Sequence, residues 1–63
     1  MTELFESIFE AVMEELNLSA WWELADGEGF TLVEERVAEA LGISEAYESE
    51  AFCEWASELA AEL

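Results

Sequence analysis

The chain contains no histidine, no lysine and no proline, and Arg36 is its one cationic side chain. Without histidine, and with Cys53 as the single cysteine, zinc sites of the Cys/His kind are excluded. The lone thiol cannot form an intrachain disulfide, and nothing in it points to an oxidising compartment. Glycine is limited to three positions, none of them in a phosphate-cradling loop, and no proline interrupts a helix. Long apolar runs are missing too. The longest uncharged stretch, Leu16 to Trp22, falls far short of the ~20 residues needed to span a bilayer. Glu3 and Glu6 stand where a signal peptide would carry positive charge. These absences predict a cytoplasmic protein with no membrane association and no bound cofactor.

What is present is acid and apolar surface in unusual proportion. Sixteen glutamates and Asp26 give 63 residues a net charge of −16, yet 54% of the chain is hydrophobic and 13% aromatic. That is too apolar for a disordered acidic tail. Alanine, glutamate and leucine favour helix. The expected fold is all-α: a compact bundle of three to four helices forming one acidic domain, residues 1–63. A domain of this length buries only about 60% of its unfolded surface, so its core is thin. The charge repels nucleic acid and anionic lipid and attracts cationic protein surfaces or metal ions.

Apolar periodicity places the helices. Leu4, Phe5, Ile8, Phe9, Val12, Met13 and Leu16 recur at spacings of three and four, predicting a first helix capped by Thr2 and running to about Asn17. Ser19 is the expected cap of a short second helix, Ala20 to Ala25, and Asp26-Gly27-Glu28-Gly29 reads as a loop. Thr31 and Glu34 have capping-box spacing and predict the start of a third helix. Its inner face would be Val33, Val37, Ala40 and Leu41, with Gly42 as the left-handed residue after its end. Ser44 would cap a last helix from Glu45 to Glu62, whose core stripe is Phe52, Trp55, Ala56, Leu59 and Leu63.

The glutamates follow the same periodicity. Glu6, Glu10 and Glu14 step by four, as do Glu35 with Glu39, and Glu50, Glu54, Glu58 and Glu62. Each like-charge pair at that spacing costs a helix about 0.2–0.5 kcal/mol, or roughly 1–3 kcal/mol over all of them. A domain this small has only about 3–5 kcal/mol to draw on. Solubility alone needs a net charge of about 2–8 in magnitude and tolerates interspersed lysine. A solvated acidic face or adaptation to high salt would also produce acidity, but salt adaptation enriches aspartate, and here there is one. The alternative is functional. Carboxylates about 6 Å apart along a helix axis form rows of negative charge, as duplex DNA does with one charge per strand for every ~3.4 Å of rise.

Two weaker patterns compete. Val37 to Ser44 looks like the first helix and turn of a helix-turn-helix unit, with Ala38 and Gly42 four apart. The would-be recognition helix carries Glu45, Glu48, Glu50 and Glu54, however, which a major groove would expel, so no direct nucleic-acid binding is expected. Asp26, Glu28, Gly29 and Glu35 fit the middle and end of an EF-hand loop, but Leu24 would occupy the first ligand position. A polar loop leading into a helix explains that segment better, and no metal site is expected.

The chain has little to catalyse with, and the expectation is that it is not an enzyme. Glu14-Glu15 and Glu34-Glu35 read as exposed pairs, since acid–base work needs a cleft that shifts a pKa. Cys53 reads as a small packing residue, because Glu50 and Glu54 oppose thiolate formation. Arg36 is expected to pin its helix to acidic neighbours, Glu39 being three residues on. Adjacent tryptophans on a helix point ~100° apart, so one of Trp21 and Trp22 should be less buried than the other and available as a contact. The small, uncharged Ala46, Cys53, Ser57 and Ala60 side of the last helix leaves room for a homodimer.

Size, helical content and patterned glutamate together resemble the DNA-mimic inhibitors of phages and mobile elements, including acidic anti-CRISPR and anti-restriction proteins. The resemblance implies a non-catalytic inhibitor acting in the host cytoplasm on a basic nucleic-acid-binding protein such as a CRISPR-Cas effector. Glu6, Glu10, Glu14, Glu35, Glu39, Glu50, Glu54, Glu58 and Glu62 would stand in for phosphates. The rival expectation is an acidic interaction module, adaptor or antitoxin-like, that docks through Trp21 and Trp22.

Overall fold

The three- and four-residue spacing of the first apolar stretch is realised as a helix in a computed structural model of the protein, which describes residues 2–63. This helix, α1, is Thr2–Glu15; α2 is Trp21–Ala25, α3 is Phe30–Leu41 and α4 is Glu50–Ala61, with a 3-10 turn at Ala46–Glu48. The all-α bundle is as expected. The apolar face of α1 is narrower than its sequence pattern: Phe5, Phe9 and Val12 are buried, while Leu4 and Leu16 reach solvent.

Each helix end shows which local bond won. Asn17 lies just past α1 in the left-handed region, at φ 57°. Leu18 N–H donates to the Met13 carbonyl at 2.9 Å and Asn17 N–H to the Glu14 carbonyl at 3.1 Å, the Schellman pattern. Ser19 does not cap α2. Ala20 precedes that helix, and the Glu23 carboxylate reaches back to accept its N–H at 3.3 Å.

Thr31 does not cap α3 either. That helix starts one residue earlier, and the amides of Phe30, Thr31 and Leu32 donate to the carbonyls of Gly27, Glu28 and Gly29 at 3.0–3.2 Å. The first helical amides are thereby satisfied without a side chain. Gly27 is required by this tight approach, since a Cβ there would lie 2.5 Å from the Glu23 carbonyl oxygen. At the other end Gly42 is left-handed, φ 69° and ψ 34°, as expected. Val33 and Val37 are buried, but Ala38 rather than Ala40 completes the inner face, because the 3-10 turn folds back against α3.

The last helix departs most from expectation. It begins at Glu50, capped by Ser49, whose Oγ accepts the Phe52 N–H at 3.3 Å. Ser44 plays no such part. Upstream, the Glu48 carboxylate accepts the Glu45 N–H at 2.9 Å and closes the 3-10 turn. Ala46 and Phe52 are both buried, at 2% and 0% exposure. Six residues apart on one continuous helix they would point about 120° away from each other. The break at extended Ser49 lets both face the core. The same break puts a single turn where a helix-turn-helix unit would start its recognition helix. Leu63, expected in the core stripe, is exposed.

Helix α1 packs against both α3 and α4, and the 3-10 turn packs against both α3 and α4. The core is largely aromatic. Phe5 meets Phe52 edge-on at 5.4 Å, and Trp55 stacks on Phe30 at 6.4 Å with 13° between the planes. The Cα radius of gyration, 10.8 Å, matches the value of about 11 Å for a packed chain of this length. No helix among the described residues is long and apolar enough to cross a membrane.

Candidate functional site

The glutamate rows do not stay on one face, for a geometric reason. Each four-residue step turns about 400° around a helix, so a row drifts by about 40° per step. On α1 this separates Glu14 from Glu6 by two steps, and on α4 it separates Glu62 from Glu50 by three.

The drift sorts the acids into distinct surfaces. Glu6 and Glu10 of α1 and Glu58 and Glu62 at the end of α4 line one open groove of about 680 Å³. Its floor is aromatic and apolar: Phe9, Trp21, Trp55 and Leu59. Glu50 and Glu54, with Glu58, line the other flank of α4 beside Cys53 and Ser57. Glu35 lies in a third recess, with Glu34, Glu45 and Tyr47. Glu14 and Glu39 are exposed on α1 and α3 and line none of these surfaces. Of the nine glutamates singled out by spacing, four are therefore brought together.

The two tryptophans divide as their angular separation predicts. Trp22 is 56% exposed, while Trp21 is half-buried and turned into the groove. Their rings meet edge-on at 6.1 Å.

Among the described residues no cationic side chain reaches the groove. Arg36 does not pair with Glu39; its guanidinium grips the Glu15 carboxylate with both terminal nitrogens, Nη2 lying 2.7 Å from Oε1. The bond holds the Glu15 carboxyl below its ordinary pKa and raises that of Arg36. This is the only ion pair among the described residues. Glu58 and Glu62 also sit at the C-terminal end of α4, where no basic residue is present and the helix dipole disfavours negative charge.

Two contacts had no signal in the sequence. Tyr47 donates its hydroxyl to Glu34 at 2.6 Å, and this bond, with partial burial, pushes its pKa up to about 12. Cys53 donates to the Tyr47 carbonyl at 3.3 Å, which ties α4 to the 3-10 turn. The loop with EF-hand spacing is closed to calcium at its first position, because Leu24 there is fully buried. Among the described residues no cluster of three or more acids and thiols could hold a metal ion.

Comparison of the chain with family models, with curated proteins and with solved structures gives no match.

Proposed function

We propose that the protein is a non-catalytic inhibitor whose carboxylates take the place of nucleic-acid phosphates and block the cationic nucleic-acid-binding surface of a host defence protein, such as a CRISPR-Cas effector. One observation carries the reading. Glu6, Glu10, Glu58 and Glu62, from two different helices, line one groove, and the only arginine is engaged elsewhere. Charge gathered in this way, at a cost to helix stability, fits attraction to a cationic partner better than it fits solubility.

Capture from a host lysate at low salt, followed by a salt step, tests it. The expected eluate is a basic nucleic-acid-binding protein whose complex duplex DNA displaces. Affinity should fall steeply with salt, because exposed charges are screened within ~10 Å at 0.1 M. Capture of neutral partners alone contradicts the proposal.

A second reading is favoured by Trp22, whose large ring is more than half exposed. In it, the protein is an acidic adaptor or antitoxin-like module that docks through Trp21 and Trp22. That reading expects weak salt dependence and loss of binding in Trp22→Ala, whereas phosphate mimicry expects Trp22→Ala to bind nearly as well as the wild type.

A further inference from the structure

A surface that imitated phosphates by charge alone would need no aromatic floor. The groove has one: half-buried Trp21 lines it together with the more deeply buried Trp55 and Phe9, and the carboxylates of α1 and α4 line the same groove. The two basic side chains respond differently to such a site. A lysine ammonium is compact and strongly hydrated, and an apolar floor strips its water without replacing it. An arginine guanidinium is planar and weakly hydrated; its face stacks on an aromatic ring while its edge donates two parallel hydrogen bonds to a carboxylate. The fork geometry already occurs in this protein, where Arg36 holds Glu15 with both terminal nitrogens.

We infer that the groove between α1 and α4 is an arginine-selective docking site, in which guanidinium groups of the partner lie on Trp21 and are held at their edges by Glu6, Glu10, Glu58 and Glu62. The inference rests on the reading that a cationic partner surface occupies the groove, and it names the chemistry of that surface: clustered arginine rather than lysine.

The test titrates the full chain with octa-arginine and, separately, octa-lysine, following heat of binding and the indole N–H signals by NMR. Octa-arginine should bind about fivefold more tightly, the upper end of what stacking on an exposed aromatic face provides. The Trp21 and Trp55 indole signals should shift more than that of Trp22, whose ring meets Trp21 only edge-on. Trp21→Leu keeps an apolar side chain but removes the ring, so the arginine preference should fall to within about twofold. Glu6→Gln with Glu58→Gln should weaken both peptides together.

Equal affinity for the two peptides overturns the arginine site, as does a shift concentrated at Trp22 or a preference that persists in a folded Trp21→Leu. If that variant does not fold, the wild-type comparison of the two peptides decides alone. The two proposals fail separately. Equal binding with steep salt dependence removes arginine selectivity and leaves phosphate mimicry in place. A clear arginine preference in a protein that never competes with duplex DNA for its captured partner upholds the groove chemistry and removes the mimicry.

Discussion

Arg36 on α3 closes on Glu15 at the end of α1, 21 residues earlier in the chain, through both terminal nitrogens of its guanidinium. The pair takes the chain's only arginine and leaves the groove acids without a partner among the described residues. Both groups are solvent-exposed, so the pair contributes little in net stability and that little is screened by salt. Arg36→Gln should therefore lower the thermal midpoint only slightly, and less so as salt rises. Glu15 has a lowered pKa in the fold. Its contribution is complete above the ordinary carboxylate range and disappears as pH falls through the lowered value. The difference between wild type and Arg36→Gln should close at acid pH, as thermal melts across that range would show.

The Tyr47–Glu34 bond predicts the opposite pH behaviour. With its pKa raised to about 12, Tyr47 adds stability below the unfolded value of about 10 and loses it as pH climbs through the folded value. In an ultraviolet absorbance titration the phenolate of the wild type should appear near pH 12. In Glu34→Gln it should appear closer to about 10.

Helix α4 supplies a direct comparison between two serines. Ser49 accepts the Phe52 N–H, so Ser49→Ala should cost about 1 kcal/mol, as lost caps do. For a domain of this size that corresponds to a fall in melting temperature of about 4–8 °C. Ser44→Ala should be close to neutral. Urea unfolding of the two variants measures both.

These serines also show what the sequence could and could not convey. The helical class followed from spacing: Phe5, Phe9 and Val12, or Val33 and Val37, recur at helical intervals and are buried. Gly42 ends α3 as a residue tolerant of the left-handed region. Caps were harder, because Ser44 and Ser49, or Ser19 and Glu23, offer competing partners only four or five residues apart, and the choice falls to the core. Burying both Ala46 and Phe52 settles it for Ser49. The groove was legible only in part. Four-residue spacing announces rows of acid, but which acids meet depends on how far each row drifts and on α4 lying against α1. Nothing near Trp21 in the sequence signals that its ring joins Trp55 in the groove floor.

A substitution that favours the helix should harm the function. Glu58→Lys replaces repulsion with attraction to Glu54 and Glu62, worth about 0.2–0.5 kcal/mol per pair, and places a cation where the dipole of α4 favours one. The melting temperature should rise by about 4–8 °C, as expected for about 1 kcal/mol in a domain of this size. Binding to the captured partner should weaken at least tenfold. A variant more stable than the wild type and equally active would separate the glutamate row from function.

If the groove carboxylates replace phosphates, the protein and duplex DNA compete for one surface of the partner. The wild type and Glu6→Lys/Glu58→Lys are each titrated into the captured nucleic-acid-binding protein preloaded with labelled duplex, with circular dichroism confirming that both are helical. The wild type should displace the duplex, and the double variant should fail to do so at a hundredfold higher concentration. Displacement by the folded double variant at wild-type concentrations would contradict that replacement.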